Sequence, residues 1–210
     1  MAERSIWSSG VTLAVIAAIC ASLVALTWQL TADRIEANEK EWLARSLQPA
    51  LAGLFFDSPV TESMITIPAP HDLPGTEDAI IYRVYSGEDP VAALFVVSTR
   101  DGYAGPIRFL VGVAMDGTVT GVRVLQHRET PGMGDRIETH KSDWVLQFDG
   151  HSLRDPEPRY WAIKGDGGQF DQLTGASVTP RAIIRAIRMT LAYFDINRDA
   201  IFAAPAEVQE

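Results

Sequence analysis

The residues best suited to chemistry lie in one segment near the C-terminus, 164–183, which reads KGDGGQFDQLTGASVTPRAI. It combines small residues, carboxylates and hydroxyls, and then becomes apolar with helical spacing. Within it, Gly175-Ala176-Ser177 begins like the G-x-S-x-G turn of serine hydrolases. Thr179 stands where that motif needs its second glycine, and the chain contains no S-x-x-K pattern. These departures disfavour a nucleophilic serine hydrolase site.

The same segment has two other interpretations. Gly175 suits a tight turn, and Thr179 suits the cap of a helix that starts at Pro180. A turn followed by a helix start also presents free backbone N–H groups at the positive end of the helix dipole, where a phosphate binds well. The hydroxyls of Thr174, Ser177 and Thr179 add hydrogen-bond donors, so the segment predicts a phosphate-handling site.

Composition excludes several classes of function. The chain of 210 residues carries a net charge of −9, whereas a nucleic-acid-binding protein needs a basic surface to neutralise phosphates. Cys20 is the single cysteine, which rules out an internal disulfide, a CxxC redox pair and a Cys-ligated cluster or haem. The four histidines show no metal-binding spacing, so no protein-ligated metal site is expected.

The N-terminal region predicts a membrane anchor. After a short tail at 1–10, residues 11–30 form a run of twenty residues without a charge, long enough to cross the hydrocarbon of a bilayer. A cleaved signal peptide is the alternative. Its apolar core is usually shorter, and this run ends in Trp28-Gln29 rather than at a small-residue cleavage site. A retained single span is therefore favoured.

The rest of the chain predicts an α+β fold around an antiparallel sheet. Residues 31–56 have apolar positions at helical spacing and predict an amphipathic connecting helix, and 57–210 form the following domain. Asp116-Gly117, between two apolar runs, is a strong hairpin signal. The predicted order is a loop at 57–78, strands at 79–86, 91–99, 107–115 and 118–127, a helix at 136–148, a strand at 159–165, and a helix with one apolar stripe at 180–196.

Three motifs resemble a known family. Residues 171–177 resemble Asp-x-x-[Ser/Thr]-Gly-Ala-[Ser/Thr], the flavinylation motif of FMN-binding domains in bacterial membrane redox complexes. Residues 101–117 are similar to the family's Gly-Tyr-x-Gly-Pro-Ile strand segment, and residues 127–137 are similar to its Glu-Thr-Pro-Gly-[Leu/Met]-Gly loop. With the anchor and the chain length, these motifs most resemble the G-subunit family of Rnf electron transport complexes.

The resemblance implies covalently bound FMN. In that family a flavin transferase esterifies the last hydroxyl residue of the motif to the FMN phosphate. By position that residue is Ser177, where the family more often has threonine. The resemblance also implies that Thr130 and Met133 line the flavin. Lys164 is a candidate to offset the phosphate charge, with a solvated surface cation as the alternative. The implied cofactor-binding residues are Ser177, Thr174, Gly175, Ala176, Asp171, Glu129, Thr130, Gly132, Met133 and Lys164.

The resemblance further implies an electron carrier that is not catalytic alone. A protein of this kind carries electrons on FMN within a complex that couples ferredoxin–NAD electron transfer to ion translocation. Its implied partners are the bilayer, the other membrane and redox subunits, and the flavin transferase. Two alternatives remain open: the C subunit of a sodium-translocating NADH:quinone oxidoreductase, which shares the FMN domain, and a cofactor-free membrane-anchored binding module.

The resemblance also implies an orientation. It places the domain on the periplasmic side of the bacterial inner membrane. More Lys and Arg residues follow the apolar run than precede it, which by itself favours a cytoplasmic domain. Long domains are translocated largely regardless of such a bias, so the periplasmic orientation is the one expected.

Overall fold

Five antiparallel strands form the central sheet of the domain, in the order β1-β2-β3-β4-β5. The computed structural model of the chain describes residues 10, 13–31, 48–51, 54, 56, 60 and 63–203. Strands that follow one another in the chain are neighbours in the sheet, as expected for antiparallel strands joined by hairpins and loops. The strands are β1 (Met64–Ile67), β2 (Ala79–Ser86), β3 (Asp89–Thr99), β4 (Ile107–Ala114) and β5 (Val119–Gln126).

The predicted strands agree with β2 to β5 to within two residues at each end. The Asp116-Gly117 turn joins β4 to β5, with a φ of +88° at Gly117 and its N–H donated to the Ala114 carbonyl at 2.9 Å. The prediction of a loop over 57–78 is wrong at Met64–Ile67, which form β1. This strand has only four residues and pairs with one neighbour, β2, so its sequence carries little periodic signal.

One apolar helix, α1 (Leu13–Thr31), is described in the first of two units into which the chain divides, Met1–Leu43 and Ala44–Glu210. Its 19 residues have a mean hydropathy of 2.1, and its length and composition suit a membrane span. Most of the predicted connecting helix, 32–47, lies outside the described residues. Its end differs from the prediction, since Gln48–Leu51 forms a 3-10 helix.

This 3-10 helix packs against β4 and β5 of the sheet. Ala50 is fully buried, and its carbonyl accepts a hydrogen bond of 2.5 Å from the Thr120 hydroxyl. Gly112, on the same face, lies so close to Ala50 that a side chain on it would clash with the Ala50 carbonyl. The 3-10 helix is therefore seated closely on the sheet.

Helix α2 (Val178–Ala203) covers the opposite face of the sheet and contacts β3 and β4. The predicted apolar stripe is buried, and the ring of Phe194 meets Phe95 of β3 edge to face, with 6.0 Å between centroids. The helix begins two residues before the predicted start and runs beyond the predicted end at 196. Its N-terminus lies at the segment that the sequence singles out for chemistry.

Two elements between β5 and α2 were predicted wrongly. In place of a helix over 136–148 there are two 3-10 helices, Gly134–Ile137 and Asp143–Phe148. Glu138, at the end of the first, has extended backbone (φ −81°, ψ 134°), which interrupts any α-helix there. In place of a strand over 159–165 there are 3-10 helices at Pro158–Tyr160 and Lys164–Asp166, with a single bridge from Ile163 to Phe170.

Candidate functional site

A cavity of about 370 Å³ lies at the N-terminus of α2. Three segments that are distant in the chain form its wall: the loop before β4, the loop after β5, and the turn that leads into α2. They correspond to the three motifs of the sequence. The lining residues are Tyr103, Glu129, Thr130, Met133, Gly134, Gly175, Ala176, Ser177 and Val178.

A tight turn delivers Ser177 to this cavity. The N–H of Ala176 donates to the carbonyl of Leu173 at 3.1 Å, which closes a four-residue turn. Its third residue, Gly175, has a φ of +81°, a conformation that glycine adopts without the steric cost of a Cβ. The buried side chain of Leu173 fixes the turn to the core, so Ser177 occupies a defined place at the start of the helix.

The Ser177 hydroxyl is available for reaction. It is half-buried in the cavity wall and makes no hydrogen bond with any residue that the structure describes. The backbone N–H groups of Ser177, Val178 and Thr179 precede the first helical hydrogen bond, from the Arg181 N–H to the Ser177 carbonyl at 3.4 Å. These donors and the positive end of a 26-residue helix favour a negatively charged group at this point.

We expect Gly175→Ala to displace Ser177. A side chain at a φ of +81° costs about 1–2 kcal/mol, and the turn can relieve this cost by shifting the start of α2. Gly150→Ala is a matched control, because Gly150 has the same φ with open space around it and lies outside the cavity wall. Urea unfolding should show a similar loss of stability in both variants. The fraction of chains that carry a ligand at Ser177 should fall only in Gly175→Ala. An equal fraction in the two variants would contradict the prediction.

Asp171 and Thr174 lie beside this cavity rather than in its wall. They line a neighbouring groove of about 360 Å³. The backbone of Asp171 is held at both ends, because its carbonyl accepts from the Trp144 indole N–H at 2.6 Å and its N–H donates to the Gln147 side chain at 2.6 Å. The 3-10 helix Asp143–Phe148 thus positions the beginning of the motif.

Lys164 also lies outside the cavity wall. Its ammonium pairs with the Asp171 carboxylate at 2.6 Å, and both side chains are more than half exposed. This ion pair bridges the segment that leads into the motif. Because the Asp171 carboxylate pairs with it, the charge of Lys164 is already matched. Gly132, with a φ of +79°, turns the loop between Thr130 and Met133 without lining the cavity itself.

The structure therefore brings together six of the ten residues in the predicted binding set. The six are Glu129, Thr130, Met133, Gly175, Ala176 and Ser177. The predicted binding set does not contain the other three wall residues, Tyr103, Gly134 and Val178. Tyr103 is flanked by Gly102 and Gly105 and its side chain is 71% exposed, so an exposed aromatic between glycines was the available signal. Gly134 and Val178 adjoin predicted residues in the same motifs.

Thr179 does not act as the helix cap that the sequence predicts. The helix begins at Val178, and Thr179 lies inside its first turn, completely buried. The Thr179 hydroxyl instead donates to Glu129 Oε2 at 2.6 Å. This hydrogen bond joins α2 to the loop after β5, a contact across 50 residues that local propensity does not encode.

An ionic cluster supports the loop after β5. Lys141 donates to Asp135 at 3.0 Å and to Glu138 at 2.5 Å, and His127 lies 2.9 Å from Glu138. The hydrogen bond from Lys141 holds the pKa of Asp135 below its ordinary value. Burial raises the pKa of Glu138, but hydrogen bonds from Lys141 and His127 outweigh it and lower the pKa overall. Because the His127 ring also accepts the Glu129 N–H at 3.0 Å, the cluster is connected to the cavity wall.

We expect Lys141→Met to make the domain less stable at neutral pH and less sensitive to acid. A carboxyl group whose pKa is lower in the folded state than in the unfolded state stabilises the folded state at pH values above its unfolded pKa of about 4. This stabilisation disappears as the pH falls through the lower pKa of the folded state. The difference from wild type should be largest at pH 7 and shrink below about pH 4. Urea unfolding across this range measures it, with Lys164→Met, which breaks an exposed pair, as the control that should differ little at any pH. A difference for Lys141→Met that does not change with pH would contradict the prediction.

Known proteins match nearly the whole chain. Residues 102–192 match the FMN-binding domain family, and residues 1–49 match the RnfG N-terminal region. The G subunit of the ion-translocating oxidoreductase complex of Shewanella loihica is 40% identical over 207 residues, which cover 99% of this chain and 98% of that protein. The G subunit of the corresponding complex of Pseudomonas aeruginosa is 42% identical over 203 residues, covering 96% and 94% of the two chains. All residues of the cavity wall lie within the FMN-binding match.

Proposed function

Since the chain belongs to the family of G subunits of ion-translocating oxidoreductase complexes, we propose that it carries FMN as a phosphoester on Ser177. It is a membrane-anchored FMN subunit of such a complex, with α1 as the candidate anchor. The covalent bond, the attachment residue and the roles of the surrounding residues form the proposal. The relatives described above are G subunits, which favours this assignment over the C subunit of a sodium-translocating NADH:quinone oxidoreductase.

The free hydroxyl of Ser177 at the N-terminus of α2 is the observation that carries the proposal. A phosphoester there would face the unpaired N–H groups of the first helical turn and the helix dipole, so its negative charge would be stabilised without a lysine or arginine. Gly175 and Ala176 leave space around the attachment point. The cavity volume falls in the range of small-ligand sites, about 300–1,000 Å³. The residues present therefore fit an FMN tethered by its phosphate.

The remaining wall residues have complementary roles in this proposal. Thr130 and the half-exposed Met133 provide a polar and an apolar side of the wall, and Tyr103 adds an exposed aromatic ring at its edge. When bound, FMN accepts and donates one or two electrons, and the protein determines its position and its electrostatic environment. An open cavity with a covalent tether suits a carrier that exchanges electrons with other proteins. No side chain of the cavity wall is then required for acid–base catalysis.

We further propose how FMN is attached to the chain and on which side of the membrane the domain lies. A flavin transferase attaches FMN, and the domain works with the other redox and membrane subunits on the periplasmic side of the bacterial inner membrane. Membership of the family supports the existence of partner subunits. Protease added to intact spheroplasts should cleave the domain and leave α1 protected. Complete protection of the domain would place it in the cytoplasm.

Flavin fluorescence on a denaturing gel tests the attachment. The full-length chain, expressed in cells with a flavin transferase, should give a fluorescent band after boiling in detergent. The same chain from cells without the transferase is the control and should give a dark band. A mass increase that corresponds to FMN on the peptide containing Ser177 would locate the bond. A dark band in the presence of an active transferase would overturn covalent attachment.

A further inference from the structure

Glu129 is a buried carboxylate in the wall of the candidate flavin cavity, with only 5% of its surface exposed. Its Oε1 accepts the N–H of Ala104 at 3.1 Å, and its Oε2 accepts the hydroxyl of Thr179 at 2.6 Å. One donor comes from the loop before β4 and the other from α2. The side chain therefore joins the two segments that flank its own loop.

No cation neutralises this carboxylate among the residues that the structure describes. Both of its hydrogen-bond donors are neutral, and neither a lysine nor an arginine is paired with it. Glu129 is also the one charged residue in the described cavity wall.

The carboxylate has little freedom to move. A Cβ placed on Gly102 would lie 2.9 Å from its Oε1, and a Cβ placed on Gly134 would lie 2.6 Å from its Oε2. Two glycines of the motifs thus provide the space that the carboxylate fills. Its charge is fixed in position and largely screened from solvent, conditions under which it acts on its neighbours more strongly than a surface charge.

We propose that Glu129 lowers the reduction potential of the flavin, an inference that depends on the FMN site proposed above. A donor protein of the complex would be oxidised as it loses each electron that the flavin gains. Each such electron would add one negative charge to the ring unless a proton from water accompanied it. A fixed negative charge in the same cavity opposes this addition. The buried carboxylate therefore makes the carrier a stronger reductant than the same flavin in a neutral wall.

Glu129→Gln separates charge from geometry. The amide oxygen can accept the Ala104 N–H and the amide nitrogen can donate to the Thr179 hydroxyl, so both contacts are retained without the charge. Redox titration of the detergent-purified, flavin-loaded full chain should show a more positive midpoint potential. Thermal unfolding should stay close to wild type, and the midpoint potential, which does not depend on the fraction of chains that carry flavin, is the measurement that decides. The shift should be larger at high pH, where fewer protons accompany the electrons.

Two further variants identify the cause. Glu157→Gln removes an exposed carboxylate away from the cavity and should leave the potential unchanged. Thr179→Val keeps the Glu129 charge and removes one hydrogen bond, so it should not raise the potential. A rise in Thr179→Val equal to that in Glu129→Gln would assign the effect to geometry and overturn the proposal. An unchanged potential in Glu129→Gln, or loss of its covalent flavin, would overturn it as well, whereas absence of flavin from wild type would instead overturn the FMN site.

Discussion

Ser177→Ala, expressed with a flavin transferase, should give a dark band on a denaturing gel where the wild-type chain should fluoresce. Alanine has no oxygen to esterify, so the expected loss of covalent flavin is complete. The fold should persist, because the Ser177 hydroxyl makes no hydrogen bond with any described residue. We expect the free energy of unfolding to fall by about 0.5 kcal/mol, which is the low end of the usual cost of replacing the residue before a helix by alanine.

Two companion variants test the assignment. Ser177→Thr retains a hydroxyl at the same place and should keep both the fold and the fluorescence. Thr174→Ala removes the other hydroxyl of the motif, which is exposed and lies outside the cavity wall, and should remain fluorescent. Fluorescence that survives in Ser177→Ala but disappears in Thr174→Ala would move the ester to Thr174. Loss of fluorescence in both, with a lower melting temperature, would indicate damage to the turn instead.

The sheet and the last helix could be predicted because their signals are local. The strands β2 to β5 alternate or concentrate apolar residues over eight to eleven positions, and Asp116-Gly117 specifies one hairpin directly. The apolar stripe of α2 needs only the helical period. The chain between β5 and α2 has no such period, because its short 3-10 helices are stabilised by contacts with residues far away in the sequence. The hydrogen bond from the Trp144 indole to the Asp171 carbonyl, between residues 27 apart, is an example.

The residues of the candidate site that belong to sequence motifs could be predicted. Family resemblance identified Ser177 together with Glu129, Thr130 and Met133, and the structure places all four around one cavity. It did not reveal how they are held. The hydrogen bond from Thr179 to Glu129 depends on the docking of α2 against the loop after β5, which follows from the tertiary fold and not from spacing.

Phe170 is the core residue from which we expect the largest loss of stability near the site. Its ring is buried against Phe148 and Trp161, with centroids 4.9 and 4.8 Å away. Its N–H donates to the Ala162 carbonyl at 3.1 Å, and its carbonyl accepts the Lys164 N–H at 2.7 Å. Phe170 therefore fixes the chain immediately before the motif that ends at Ser177.

Phe170→Ala should cost about 3–5 kcal/mol in the free energy of unfolding, because it leaves a cavity among aromatic rings. That is a large part of the roughly 5–15 kcal/mol that typically stabilises a domain, so partial unfolding at about 37 °C is expected. The matched control is Phe194→Ala. Phe194 is a similarly buried residue of α2 whose ring packs on Phe95, and it does not line the cavity. Both should lower the urea midpoint. At a temperature where both remain folded, only Phe170→Ala should take up less covalent flavin, because only it loosens the segment that positions Ser177. Equal flavin uptake by the two variants would show that the placement of Ser177 does not depend on Phe170.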